Sequence, residues 1–365
     1  MNQNKKFKVA LVTVSLSGGG AERVAASLSC FFEAQNIEVH HVVFAGEIVY
    51  NYKGKLLHLQ TLKDKSNSLY SRCKRFLSLY NYFKKEKFDY VVDFRVKEYF
   101  LQEFIINYFV YKKFIQTVHS NAIHLYLPKN KFLNKLLYKN AQKVVAVSSI
   151  IKQKVEHYYQ YKNIELLHNP IDFTLIDCLK KEVLGIDFQY ILSVGRMEDN
   201  VKQFDHLIES YVNSILPSKQ IKLVILGEGK LRPKWETLAS QYNLQEMIIF
   251  KGAVSNPFMY YKNALYTVIT SKYEGFPMVL LESLACETPV ISYNFFSNSN
   301  EVVQHKHNGL LVENQNKEKI TEALNRFHTN NALYLHCKSN AKTSVQQYSL
   351  EQIGTKWIQL FNELQ

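Results

Sequence analysis

The sequence predicts an α/β protein of two consecutive doubly wound domains, each a parallel sheet covered by helices on both faces. Three observations carry this. The chain has 365 residues, more than one core ordinarily organises. Apolar runs of about six residues alternate with helix-period segments, as strands buried on both faces require. The alternation also occurs twice, with Pro170 and a polar stretch between the two series.

In the first half the apolar runs predict strands at 7–16, 38–44, 89–94, 113–118, 143–148 and 164–167, with helices at 21–34, 69–87, 98–111, 132–139 and 150–159. The second half predicts strands at 190–195, 222–227, 247–250, 265–270, 289–292 and 309–312. Its helices are expected at 203–214, 232–242, 278–286, 317–327 and 331–346. Domain limits follow at 1–172 and 173–349. A last helix at 350–364 exceeds the needs of the second sheet and is expected to pack back on the first domain.

Composition narrows the class. A hydrophobic share of 47% with 21% charged residues is that of an ordinary globular chain. The five cysteines are scattered without paired spacing, which points to reduced thiols and a cytoplasmic location rather than a disulfide frame or a zinc site. The N-terminal apolar run leads straight into SGGGAERV with no cleavage-site pattern, so it reads as a buried strand. No stretch reaches the roughly 18 apolar residues that span a bilayer. The net charge of +13 is one-sided: residues 1–175 hold 26 Lys and Arg against 13 Asp and Glu, whereas 176–365 hold 19 of each. A basic first half suits an anionic partner, such as a lipid headgroup or a polyphosphate, or is simply a solvated surface. No nucleic-acid module accompanies it.

Ligands of open parallel sheets sit beyond the carboxyl ends of the strands, here in the cleft between two domains. Four segments with unusual chemistry fall at such ends. Ser17-Gly18-Gly19-Gly20-Ala21-Glu22-Arg23 follows the first strand and opens a helix, whose amides suit a phosphate. It is neither a dinucleotide fingerprint, which would need Gly at Arg23, nor a P-loop. Tyr273-Glu274-Gly275-Phe276-Pro277-Met278-Val279-Leu280-Leu281-Glu282 places one carboxylate in a loop and a second about one turn into a helix. Pro277 suits the first turn, and the amides of Met278 and Val279 are expected to face an anion. Glu274 then lies near the leaving-group end of a bound diphosphate and Glu282 near the nucleoside, where a carboxylate can hold both ribose hydroxyls. Arg196 and Lys202, in Gly195-Arg196-Met197-Glu198-Asp199-Asn200-Val201-Lys202, can clamp a diphosphate and stabilise its departing charge. His119 ends a strand of the first half and is either a core histidine or a contact to a sugar. There is no D-x-D triplet, H-E-x-x-H or clustered His/Cys set, so no metal is expected.

These segments resemble the retaining glycosyltransferases of family four, which have the GT-B fold of two Rossmann-like domains facing a central cleft. The resemblance spans most of the chain. It is strongest in SVGRMEDNVKQFDHLIESY, LVILGEGKLRPKWETLA, FKGAVSNP, SKYEGFPMVLLESLACETPVIS and NGLLVE, with SLSGGGAERV and LLHNPID in the first half. It implies a hexosyl transfer from a nucleotide diphosphate sugar, UDP being the commonest carrier, to a glycan or lipid-linked acceptor of a bacterial surface polysaccharide. The donor is a substrate, and no cofactor is implied. Peripheral attachment to the anionic inner face of the membrane is expected through the basic first domain. By the same resemblance Arg196 and Lys202 bind the diphosphate, Glu282 the ribose, and Glu274 the donor sugar. Gly275, Phe276, Pro277, Met278 and Val279 surround sugar and phosphate. Gly19 and Gly20 approach the diphosphate, Gly252 and Val254 flank the base, and His119 lies near the sugar. The chain departs from the family pattern at Glu287, where a glycine is usual, at Ser299-Asn300 before Glu301, and in a 196–202 segment one residue longer than the commonest form. The same fold also hosts nucleotide-sugar epimerases and non-catalytic binding subunits. An epimerase would isomerise the donor without an acceptor, and intact Arg196, Lys202, Glu274 and Glu282 argue against a decayed site.

Overall fold

The computed structural model describes residues 7–295 and 299–365. They form two compact units: one runs to Pro170 and takes in Leu350–Gln365, and the other is Ile171–Ser349. No helix among the described residues is long and apolar enough to cross a membrane.

The first unit is a seven-stranded sheet ordered β3-β2-β1-β4-β5-β6-β7, parallel throughout. Its strands are β1 (Lys8–Thr13), β2 (Glu38–Val43), β3 (Lys55–His58), β4 (Tyr90–Asp93), β5 (Phe114–Val118), β6 (Ala141–Ala146) and β7 (Ile164–Leu166). The helices are α1 (Gly20–Ala34), α2 (Leu69–Glu86), α3 (Phe100–Ile105), α4 (Lys131–Leu137) and α5 (Ser149–Tyr159). The sequence predicts six strands here. The seventh, β3, is an edge strand with its first two side chains exposed, so it carries no apolar run. The single helix expected over 98–111 is α3 followed by a π-helical turn, Ile106–Tyr111.

The second unit is a six-stranded parallel sheet ordered β10-β9-β8-β11-β12-β13. Its strands are β8 (Tyr190–Val194), β9 (Lys222–Leu226), β10 (Ile248–Gly252), β11 (Thr267–Ile269), β12 (Val290–Tyr293) and β13 (Gly309–Val312). Its helices are α6 (Phe173–Leu179), α7 (Phe204–Val212), α8 (Arg232–Gln241), α9 (Phe258–Asn263), α10 (Met278–Ala285), α11 (Ser299–Val302), α12 (Lys317–Thr329) and α13 (Asn331–Asn340). The sequence reading has none of α6, α9 and α11, and it runs α13 on to 346 where a 3-10 turn, Thr343–Tyr348, takes over. All three missed helices are under two turns long, too short for periodicity to register.

The last helix, α14 (Leu350–Glu363), belongs to the first unit. Leu350, Ile353, Trp357, Leu360 and Phe361 recur at helical spacing and enter the core formed by Phe7, Val24, Leu28, Phe32 and Tyr90. The Tyr90 hydroxyl donates to the Phe361 carbonyl, and the two rings stack 4.6 Å apart.

In each sheet the strand order reverses beside the first strand, between β1 and β4 and between β8 and β11. Loops leaving the carboxyl ends of those neighbours diverge and leave a crevice, where doubly wound sheets take ligands.

Candidate functional site

In the second unit the segments singled out from sequence leave the two strands at the reversal. One follows β8 and carries Arg196 and Lys202; the other follows β11 and carries Glu274. The loops are bonded to each other. The Thr270 hydroxyl donates to the carbonyls of Lys202 and Gln203 at 3.0 and 2.9 Å, and the Lys272 amide donates to the Val201 carbonyl at 2.8 Å. Lys202 Nζ therefore reaches Glu274 Oε1 at 2.6 Å, and Ser271 Oγ donates to the same oxygen at 2.7 Å. The side chains of Lys202 and Glu274 are 21% and 18% exposed, so a ligand can still reach the pair. An incoming anion has to share the ammonium with Glu274. Arg196 is exposed, and no carboxylate pairs with it among the described residues.

The floor of this loop is backbone packed on backbone. Gly227 has φ +133°, and a Cβ there would collide with the Gly195 carbonyl; one at Gly229 would meet the backbone of Met197. The Met197 amide donates to the Glu228 carbonyl at 2.8 Å and the Gly227 amide to that of Gly252 at 2.8 Å. The ends of β8, β9 and β10 are thus tied together, with Gly252 buried and Val254 half-buried in the loop beyond. Sequence reasoning gave Gly227 and Gly229 no role. The signal was Gly-Glu-Gly directly after a strand.

Glu282 lies on α10, is 6% exposed, and accepts from the Tyr261 hydroxyl at 3.1 Å. Tyr261 belongs to the unpredicted α9, which starts after a turn in which Asn256 Oδ1 accepts from the Phe258 amide at 3.0 Å. The entry to α10 differs in detail from expectation. Pro277 is the capping residue rather than part of the first turn. The Met278 amide turns back to the Phe276 carbonyl at 2.9 Å, so of the two amides expected to face an anion only that of Val279 lacks a backbone acceptor among the described residues. Phe276 is buried edge-on against Tyr348, 5.4 Å between centroids, and Gly275 is half-buried beside it.

Three expected positions lie in the first unit. Gly19 caps α1 without a side-chain hydrogen bond, Gly20 is its first residue, and the Glu22 carboxylate lies over Gly19. The positive end of this helix therefore already has a carboxylate beside it. His119 follows β5, its ring 5.5 Å from that of Phe94. Burial pulls its pKa down to about 3 against the opposing influence of Asn169, so the imidazole is neutral at pH 7. Neither ring nitrogen completes a hydrogen bond of ordinary geometry among the described residues.

A buried charge network beyond β4 had no signal in the sequence. Arg95 Nη2 lies 2.8 Å from Asp93 Oδ2 and 2.9 Å from Glu103 Oε2, and Lys97 Nζ reaches the same two carboxylates at 2.6 and 3.1 Å. Burial pushes the Asp93 carboxyl up, but Arg95 and Lys97 outweigh it and hold the pKa at about 2. Among the described residues one trio, Glu38, His40 and Glu86, has the spacing of metal ligands. It lies in the first unit, and the ammonium groups of Lys55 and Lys8 already stand 2.8 and 3.0 Å from its carboxylates.

Comparison with known proteins gives the family and the fold. Residues 18–175 fit the model of Glycosyltransferase Family 4 and residues 179–344 that of Glycosyl transferases group 1. The chain belongs to these glycosyltransferases. It is 29% identical over 369 residues, 95% of this chain and 97% of the relative, to the N-acetylgalactosamine-N,N'-diacetylbacillosaminyl-diphospho-undecaprenol 4-alpha-N-acetylgalactosaminyltransferase of Campylobacter jejuni. It is 24% identical to an amylovoran biosynthesis glycosyltransferase of Erwinia amylovora, covering 98% of this chain and all of the relative. Among solved structures, Anabaena HepE in complex with UDP and glucose superposes with a TM-score of 0.79 at 14% identity, covering 98% of this chain and 100% of that one. The fold is GT-B, with parallel sheets of seven and six strands.

Proposed function

We propose that the protein is a retaining, metal-independent hexosyltransferase. It moves a sugar from a nucleoside diphosphate, with UDP as carrier, to a glycan or lipid-linked acceptor of a bacterial surface polysaccharide. The observation that carries this reading is the Lys202–Glu274 pair, 2.6 Å apart and partly open, at the strand reversal of the second unit. Two relatives support the acceptor and the pathway: one is named for a diphospho-undecaprenol substrate and the other for amylovoran synthesis. The structural neighbour solved with UDP agrees with the choice of carrier.

In this reading Arg196 and Lys202 grip the diphosphate, and their charge offsets what builds on it as the glycosidic C–O bond breaks. The Val279 amide adds a donor at the start of α10. Glu282, oriented by Tyr261, takes the ribose hydroxyls, and Glu274 is released from Lys202 to contact the sugar. The acceptor oxygen attacks on the face the leaving group vacates, its proton passes to a leaving phosphate oxygen, and configuration is retained. Cations and amides supply the electrostatic stabilisation that a metal gives in other sites. His119, kept neutral, offers a nitrogen lone pair or N–H to a hydroxyl. Attachment to the cytoplasmic face of the membrane fits exposed Leu101, Tyr108, Phe109 and Phe132, interspersed with exposed Lys112, Lys113, Lys131 and Lys135 in the first unit.

Lys202→Ala and Glu274→Gln should each lower turnover by about 100-fold or more, and Lys202→Ala should also weaken UDP binding. Near-normal rates in both variants would overturn the site. Proton NMR of the fresh product should give the anomeric configuration of the donor, and chelation with EDTA should leave the rate unchanged. An inverted product or a metal requirement rejects that part of the reading.

A further inference from the structure

The first unit contains a cavity of about 540 Å³ between α2 and α3 that none of the chemistry above uses. Residues 72, 75, 76 and 79 of α2 recur at i, i+3, i+4 and i+7, so Arg72, Arg75, Phe76 and Leu79 share the face that lines it. Tyr99, Gln102 and Ile106 close the other side. Phe44, just beyond β2, adds an aromatic wall, with Arg95 3.9 Å from its ring centre.

The two arginines set the chemistry. Arg95, behind the Phe44 wall, and Lys97 are bound to carboxylates. Arg72 and Arg75 have no carboxylate partner among the described residues. Arg72 Nε holds only the Asn67 carbonyl at 3.3 Å, and Arg75 Nη2 donates to Asn67 Oδ1 at 2.6 Å. Arg75 Nε is buried without an acceptor. Asp64, three residues before Asn67, is taken by the Ser66 and Ser68 hydroxyls and the Ser68 amide. Two guanidinium groups on one cavity wall, one with an unsatisfied donor, suit an anion with several oxygens. The remaining lining is largely apolar, and the flanking surface is apolar too: Leu69 and Tyr70 are each 76% exposed at the start of α2, and Tyr99 is 67% exposed. A sugar without a lipid would meet few polar partners there besides Asn67 and Gln102.

We infer that this cavity binds the phosphate of a lipid phosphate ester, with Arg72 and Arg75 on the phosphate oxygens and the chain leaving between Phe76, Leu79, Tyr99 and Ile106. This deepens the transferase reading and rests on it for its meaning, since such an ester is the head of a lipid-linked acceptor. A bilayer phospholipid presents the same chemistry.

Titration calorimetry on the full chain tests this with three probes: farnesyl diphosphate, inorganic pyrophosphate, and phosphatidylcholine vesicles with or without phosphatidylglycerol. Farnesyl diphosphate should bind at least tenfold more tightly than pyrophosphate, and Arg72→Ala and Arg75→Ala should each weaken it about tenfold or more. The exposed Arg72 makes no buried contact, so its removal leaves the fold intact. Arginine-dependent binding of farnesyl diphosphate identifies a lipid-linked diphosphate as the ligand. Arginine-dependent binding of the anionic vesicles alone identifies a bilayer headgroup instead, and either result upholds a lipid-phosphate site. Binding undiminished in both variants, no binding of either lipid, or pyrophosphate binding as tight as farnesyl diphosphate overturns it. UDP affinity separates the two readings: the arginine variants should keep it, while Lys202→Ala should lose it and keep farnesyl diphosphate.

Discussion

Glu287 holds a left-handed backbone conformation, φ +63°, at the position where the family resemblance implies a glycine. A side chain there costs about 1–2 kcal/mol, and the offset is visible: Lys180 and Lys262 reach its two carboxylate oxygens at 2.9 and 2.7 Å and hold its pKa at about 2. The departure from pattern is legible in sequence, but the pair of lysines is not, because they lie 107 and 25 residues away. Buried histidines carry a second consequence. His119 is pulled down to about 3 and His41 to about 4, in both cases by burial. Between pH 6.5 and those values the unfolded chain binds protons that the folded chain refuses. Their contribution is therefore complete above pH 6.5 and is lost as the pH falls, by up to roughly 1.4 kcal/mol per pH unit for each histidine. Urea unfolding at pH 7.5 and pH 5 should show this loss, and His41→Asn and His119→Asn should each reduce it. An unchanged difference in both variants would exclude these groups as its source.

At the scale of elements, α14 shows how chain order and packing order differ. Its apolar stripe is plain in sequence, and Gly354 fits against Phe31 of α1, where a Cβ would collide with the ring. Trp357 is 3% exposed, so Trp357→Ala should destabilise by about 3–5 kcal/mol, measured by urea unfolding. A change below about 1 kcal/mol would mean that the helix is held only loosely. Elements the sequence did not disclose share a physical reason. The strand β3 borrows its order from hydrogen bonds to β2 rather than from an apolar run, and α6 and α9 are too short to repeat a face. The π-helical turn at 106–111 continues an apolar run in which α and π periods look alike.

For the whole molecule, the uneven charge is the broadest prediction. All of the +13 excess lies in residues 1–175, and exposed lysines stand beside exposed aromatic groups there. Vesicles containing phosphatidylglycerol should bind the protein at 0.1 M salt and release much of it at 1 M, where the screening length falls from about 10 to about 3 Å. Sedimentation would report this, and salt-independent binding would argue against a role for the lysines.

The sequence by itself determined the two α/β series, the one-sided charge and the glycine, cation and carboxylate segments at strand ends, because each is a local pattern within one element and its following loop. Only the tertiary structure decided which of these meet. Lys202 and Glu274 are 72 residues apart and touch because β8 and β11 are neighbours in the sheet. Tyr261 and Glu282 meet through two helices packed on that sheet. The cavity with Arg72 and Arg75 exists because α3 lies across from α2. Strand order is set by how buried faces pack, and no single segment encodes it.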